Sequence, residues 1–244
     1  MKKQRWQIVF EDDHIIVINK PAHLLSIPDR YDKDLDNLFD SLSRYRTPLF
    51  INHRLDKDTS GLVLFTKNEE AHKAFSKLFE ERKIDKRYMA LTHGIPVEEV
   101  GLIDLPLQLS KNKQRMLVSP NGKDSQTKYR VIGAWGLFAC LEIKLLTGRM
   151  HQIRVHLSAI HCPIIADGIY GDGKPLYLSD FKRKFNRSGK HDEKPLLDRQ
   201  ALHAHELHFI HPINGKTISI ESPLPKDMKA CIYQFNKNLD QLSI

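Results

Sequence analysis

His53-Arg54-Leu55-Asp56-Lys57-Asp58-Thr59-Ser60-Gly61 runs without a break into Leu62-Val63-Leu64-Phe65-Thr66, so two carboxylates and two cations sit directly before an apolar run. A tight charged loop feeding a run of this length predicts a buried strand with polar chemistry at its mouth. Working outward, His14-Ile15-Ile16-Val17-Ile18-Asn19, closed by Lys20-Pro21, predicts a second buried strand. Residues 69–83 place Ala71, Phe75, Leu78 and Phe79 at i, i+4, i+7 and i+8, with Glu69 and Glu70 in the first turn and Arg82 and Lys83 in the last. That spacing and charge order predict an amphipathic helix. Further strands are predicted at 87–92, 127–132 and 137–146, the last from Leu141, Ile143 and Leu145 alternating with Glu142 and Lys144. A helix is predicted at about 151–160, entered through Thr147-Gly148, then strands at 206–210 and 216–221 and a closing helix at about 226–236. Strands outnumber helices and no βαβ spacing repeats. The fold class predicted is therefore α+β, a largely antiparallel mixed β-sheet with flanking helices.

The 244 residues are long enough to bury a core and show no internal repeat, so one domain over 1–244 is expected. Cys140, Cys162 and Cys231 are odd in number and form no CxxC, which argues against a disulfide framework and for a reducing, cytoplasmic compartment. No apolar run reaches the roughly 18 residues that a membrane span needs, and no export signal is readable. Thirty-eight Lys and Arg against 30 Asp and Glu leave a net charge of +8, which favours an anionic partner such as nucleic acid. One stretch, at about 171–199, is long, polar and basic between structured pieces. It contains Lys182-Arg183-Lys184-Phe185-Asn186-Arg187-Ser188-Gly189-Lys190 and reads either as a solvated loop or as a phosphate contact.

Three polar clusters remain. In the first, Asp58-Thr59-Ser60-Gly61 also reads as an ordinary turn, with Asp56 paired to a neighbouring cation. The second is Lys86-Arg87-Tyr88-Met89-Ala90-Leu91, where strand geometry puts Lys86, Tyr88 and Ala90 on one face; Tyr88 is a ring platform for a base or simply a half-buried strand residue. The third is Thr147-Gly148-Arg149-Met150-His151-Gln152-Ile153-Arg154-Val155-His156. Arginines at a helix start oppose the helix dipole and call for an anion opposite them. His203, His205, His208 and His211 have suggestive spacings, but no cysteine or acid completes a metal set, and no glycine-rich cradle or dinucleotide fingerprint is present. Neither a metal nor a cofactor is expected.

His53-Arg54-Leu55-Asp56 followed by Thr59-Ser60-Gly61 resembles the catalytic motif of RluA-type pseudouridine synthases, and the other two clusters resemble that family's second and third motifs in the same order. The likeness extends to Glu11 through Pro21, to Asp167-Gly168-Ile169-Tyr170-Gly171, and to Leu202-His203-Ala204 and His211-Pro212, nearly the whole chain. It implies the pseudouridine synthase catalytic fold without the family's N-terminal RNA-binding extension. It further implies that Asp56 is the nucleophile, Arg54 fills the gap left by the flipped base, Tyr88 stacks on the uracil, and Arg154 is the basic residue paired with the nucleophile. His53, Lys86, Arg149 and Gln152 in the motifs, and Lys182, Arg183, Lys184 and Arg187 in the loop, are candidates for RNA contact. The partner expected is structured ribosomal or transfer RNA, bound by a monomer with no membrane. Two residues depart from the family pattern, His161 and Ala166, each where a glycine is usual. The rival from another class is a non-catalytic RNA-binding module, and a metal-dependent RNA hydrolase is a further one.

Overall fold

The apolar run after the charged loop forms a strand, Ser60–Thr66, in which every residue is buried, and Ile15–Lys20 beside it is buried almost throughout. Continuous rather than alternating burial means that both faces of these strands are covered. The computed structural model describes residues 6–112, 115–182, 185 and 193–242. Its strands are β1 (Gln7–Glu11), β2 (Ile15–Lys20), β3 (Phe50–Ile51), β4 (Ser60–Thr66), β5 (Asp85–His93), β6 (Val100–Asp104), β7 (Leu107–Leu109), β8 (Met116–Val118), β9 (Gln126–Trp135), β10 (Phe138–Leu145), β11 (Leu202–Ile210) and β12 (Thr217–Glu221). The helices are α1 (Leu38–Ser43), α2 (Glu69–Glu80), α3 (Gln152–Ala159) and α4 (Lys226–Asn238). Strands dominate and their pairing is mostly antiparallel, so the α+β class holds.

The chain folds as two compact units, Met1–Tyr88 with His203–Pro223, and Met89–Leu202 with Leu224–Ile244. In the first, β1, β2 and β4 pair antiparallel in that order, β3 flanks β4, and β11 joins β4 in parallel before turning back through β12. Its core is Ile15, Val17, Leu62 and Leu64 from the strands, Ala71 and Phe75 from α2, and Leu207, Phe209 and Ile220 from the returning strands. α2 is started by Asn68, whose side chain accepts the Ala71 N–H at 2.8 Å. The helix expected over 69–83 ends at Glu80. Arg82 swings to φ 59° while the Lys83 N–H reaches back to the Leu78 carbonyl at 2.9 Å, a terminus that closes off orphan carbonyls. Arg82 and Lys83 therefore lie beyond the helix, and Lys77 is the base of its last turn.

In the second unit β6, β9 and β10 pair antiparallel, with a bulge where Cys140 and Leu141 face Gly133 and Val131. β7 and β8 form a separate two-stranded ribbon that packs Leu107 and Met116 against Val155 of α3. Backbone bonds tie residues 163–165 to the end of β5: the Ile165 N–H reaches Leu91, and the His93 N–H reaches Pro163. The three cysteines are free and buried, and burial pushes the Cys140 thiol up to about 12. Among the described residues no helix is long and apolar enough to cross a membrane.

Candidate active site

Asp56 sits in the loop before β4, and the residue on either side of it is clamped. Ser26 Oγ both donates to the Leu55 carbonyl, at 2.8 Å, and accepts the Leu55 N–H, at 3.0 Å. On the other side Lys20, fully buried at the end of β2, donates its ammonium to the carbonyls of Lys57 (3.0 Å), Leu24 (2.7 Å) and Pro21 (2.9 Å). A buried ammonium persists only when its protons are satisfied, so these carbonyls fix Lys20 and Lys20 fixes the loop. The Asp56 carbonyl accepts the Thr59 N–H at 3.2 Å, which closes the turn, and Asp58 pairs with His23 at 3.0 Å. Gly61 follows at φ 113°, where a side chain would strike the Ala204 carbonyl of the parallel strand. Next to it Ser60 Oγ and His203 Nδ1 are 2.9 Å apart. The result is a preorganised acid at a strand mouth, in the manner of a site built on rigid elements.

His53, expected at RNA, turns its ring inward. Its Nε2 accepts the Leu64 N–H at 2.9 Å and its ring lies 4.8 Å from that of Phe79. Burial, and secondarily the Lys86 cation, push its pKa down to about 3, so it stays neutral and braces the loop against β4. Arg54, by contrast, is exposed and donates no hydrogen bond among the described residues, and its charge is felt at Asp29. Tyr88 is buried, 8% exposed, and burial together with the nearby Asp56 charge holds its phenol well above the ordinary tyrosine range. It keeps its proton at neutral pH. In the first unit Tyr88 thus lies near enough to Asp56 to feel its charge.

The third cluster lies in the second unit. Arg154 is buried in the first turn of α3, and among its partners is an internal anion: Nε and Nη2 form a fork onto the two carboxylate oxygens of Asp167 at 2.7 and 2.8 Å. Asp167 also accepts the N–H groups of Ile169 (2.9 Å) and Tyr170 (3.1 Å), and the Tyr170 ring lies 5.2 Å below the guanidinium. Burial alone would raise the Asp167 carboxyl, but this set of donors pulls it below the usual carboxylate range. Sequence reasoning gave Asp167 no role of its own, although the Asp167-Gly168-Ile169-Tyr170-Gly171 stretch belongs to the family likeness.

Gln152, taken for an RNA contact, is corrected by its surroundings. It is 2% exposed, accepts from Thr147 Oγ1 (2.7 Å) and the Arg149 N–H (2.9 Å), and donates to the Gln126 carbonyl and Thr127 Oγ1, both at 2.9 Å. With every amide valence used inside, it shapes the 147–152 turn and has none left for RNA. Arg149 is half-buried and donates to the Asp124 carbonyl at 3.3 Å. Of the loop candidates only Lys182 is described, half-buried; Arg183, Lys184 and Arg187 lie outside the described residues. Of the late histidines, His203 and His205 both face the Ser222 carbonyl, at 3.2 and 2.7 Å, while His211 is buried near Asp12. A cavity of about 780 Å³ in the second unit, walled by Phe138, Ile164, Ile165, Leu176 and Phe181, contains neither Arg154 nor Asp167 and is not where this chemistry sits.

The two departures from the family pattern both keep the backbone of the glycine they replace: His161 has φ 60° and Ala166 φ 57°. The turns survive at a conformational cost of about 1–2 kcal/mol each for a side-chain-bearing residue. His161→Gly and Ala166→Gly are each expected to stabilise the protein by about 0.5–1 kcal/mol, part of the relief being offset by glycine's entropy when unfolded. Thermal unfolding of the two variants measures this; a lower midpoint in both would refute it.

The α+β sheet carries a charged loop clamped at a strand mouth, and the RNA pseudouridylate synthase family profile matches residues 14–159, which take in that loop. The chain belongs to the RNA pseudouridylate synthase family and is an isomerase that converts uridine to pseudouridine. It is 35% identical over 236 residues to the "Ribosomal large subunit pseudouridine synthase D" of Zymomonas mobilis, covering 91% of this chain and 70% of that protein. The protein of the same name in Nitrosomonas europaea is 37% identical over 245 residues, covering 98% and 67%. The "Uncharacterized RNA pseudouridine synthase YlyB" of Bacillus subtilis is 34% identical over 241 residues, covering 95% and 73%. Among solved structures, that of "Human RNA Pseudouridylate Synthase Domain Containing 1" superposes with a TM-score of 0.71 at 25% identity, covering 100% of this chain and 93% of that one.

Proposed function

We propose that this enzyme isomerises uridines of large-subunit ribosomal RNA in the cytoplasm, as a monomer, with Asp56 as the nucleophile, Tyr88 as the ring beside the uracil, Arg54 in the gap left by the flipped base, and Arg154 as the cation of the third motif. The observation that carries the reading is the clamp of Ser26 and Lys20 on the residues flanking Asp56, since an acid fixed at both neighbours is held for attack rather than for packing. Ribosomal RNA is favoured by the names of the relatives from Zymomonas mobilis and Nitrosomonas europaea. Because the family match begins in the first compact unit and ends in the second, we propose that both serve one catalytic domain.

The reaction breaks the C1′–N1 bond, turns the uracil and joins C1′ to C5, while one proton leaves C5 and another ends on N1. No electrons are gained or lost. Attack at C1′ or at uracil C6 needs an ionised carboxylate, and capture of a sugar carbon by Asp or Glu has precedent in glycosidic chemistry. Unstacking the target base costs a few kcal/mol, and stacking on an aromatic ring returns about 1–3 kcal/mol, so further contacts must supply the balance. The loss of the C5 hydrogen supplies the assay. Large-subunit ribosomal RNA transcribed with C5-tritiated uridine should release tritium with the enzyme, at a uridine that mapping then locates; release from transfer RNA alone would overturn the substrate assignment.

The basic loop is expected to add sequence-independent affinity. Changing Lys182, Arg183, Lys184 and Arg187 together to Gln should lower the slope of log affinity against log salt by about 3, at roughly 0.7–0.9 per phosphate contact. An unchanged slope would remove the loop from the RNA interface.

A further inference from the structure

The two cations of β5 are treated in opposite ways. Arg87 lies 3.7 Å from Asp85 and 3.6 Å from Glu206, so its charge is met within the protein. Lys86 is half-buried, and among the described residues it has neither a hydrogen bond nor a carboxylate in ion-pair range. The group its ammonium does meet is the Phe79 ring, with the centroid 5.7 Å away, and the His53 ring lies 4.8 Å from that of Phe79. His53 cannot compensate, because its Nε2 is engaged by the Leu64 N–H and its neutral ring carries no negative charge. An aromatic face attracts a cation but does not replace the hydrogen bonds of the water it has lost. Burial accordingly pulls the Lys86 pKa below the ordinary lysine range.

Position decides what the missing partner is. Lys86 and Tyr88 are two apart in a strand, so they share a face about 6.6 Å apart along it. Tyr88 in turn feels the Asp56 charge. A nucleotide whose base rests by Tyr88 and whose sugar faces Asp56 brings its own phosphate to within the reach of a lysine one strand step away. RNA offers one anionic group, the phosphate, and an ammonium with three donors and no bound acceptor is suited to it. We propose that Lys86 binds the phosphate on the 5′ side of the target uridine, anchoring the flipped nucleotide from within the site. This rests on the assignment of Asp56 and Tyr88 to the uridine.

The test is a binding cycle on a short RNA carrying the mapped uridine, made with a natural or a neutral methylphosphonate linkage on its 5′ side. All proteins carry Asp56→Asn, so that affinity is read without turnover. Neutralising the linkage should weaken the Lys86 protein by about tenfold or more, the size of a charge-assisted hydrogen bond. Lys86→Met, which keeps the stem over Phe79, should bind natural RNA with the same loss and be indifferent to the linkage, whereas Lys86→Arg should restore the dependence. If the methylphosphonate costs Lys86→Met as much as it costs the parent, the two effects are independent and the phosphate is not its ligand. If Lys86→Met binds natural RNA as the parent does but slows turnover in the Asp56 protein, Lys86 serves the uracil instead and the proposal falls. Tritium release by the unaltered enzyme is scored separately. Release with an additive cycle rejects Lys86 alone, and no release rejects the wider assignment.

Discussion

Asp56→Asn should lower the rate of uridine isomerisation by at least about 10⁴-fold, the scale on which enzymes that use a covalent nucleophile fail when it is removed. The substitution preserves shape while exchanging a carboxylate for an amide that cannot form the bond. Its fold should be largely spared, because backbone restraints on Leu55, on Lys57 and on the Asp56 carbonyl remain in the variant. RNA affinity should hold or tighten, since a negative charge leaves a surface that binds phosphates. Asp58→Asn is the control: the same charge is removed from the same loop, but from a group whose partner is His23 at its rim. Tritium release in single turnover with saturating enzyme measures both. A rate for Asp56→Asn within tenfold of the unaltered enzyme would move the nucleophile elsewhere, and an equal fall in Asp58→Asn would mean that loop charge, not the nucleophile, had been measured.

The charged loop before β4 was legible in the sequence because its pattern is local. A charged turn abutting Leu62 through Phe65 has one sensible place, the mouth of a buried strand, and α2 announces itself by the spacing of Ala71 and Phe75. β6, β7 and β8 were not legible. They are three to five residues long, and Val100 and Leu102 stay exposed at 64% and 50%, so no period-two pattern forms. The roles of Lys20 and Gln152 were hidden for a different reason. Polarity predicts exposure only until an interior supplies partners, and both residues are buried with some of theirs remote in sequence: the Lys57 carbonyl for Lys20, the Gln126 carbonyl and Thr127 hydroxyl for Gln152. Arg154 is the same lesson with charge: the anion demanded by an arginine in a helix's first turn is real, but Asp167 supplies it thirteen residues later.

Arg154→Met is expected to cost about 3–5 kcal/mol of stability, because the Asp167 carboxylate stays buried with two backbone N–H groups and no counter-charge. Against a total of about 5–15 kcal/mol this leaves a marginal protein. Arg154→Lys should recover only part of the loss, since an ammonium cannot reproduce a planar fork onto two oxygens. Activity lost in these variants says little by itself, because an unfolded enzyme is also an inactive one. The informative protein is the double variant Arg154→Met with Asp167→Asn. Asparagine keeps the oxygen that receives the Ile169 and Tyr170 N–H groups and removes the charge that needed Arg154, so urea unfolding should show most of the stability restored. Turnover then separates the roles. If Arg154 serves the reaction, the double variant folds, binds RNA and releases tritium no faster than Arg154→Met; if the pair is a strut and nothing more, activity returns with the fold, and the third motif's arginine leaves the catalytic set.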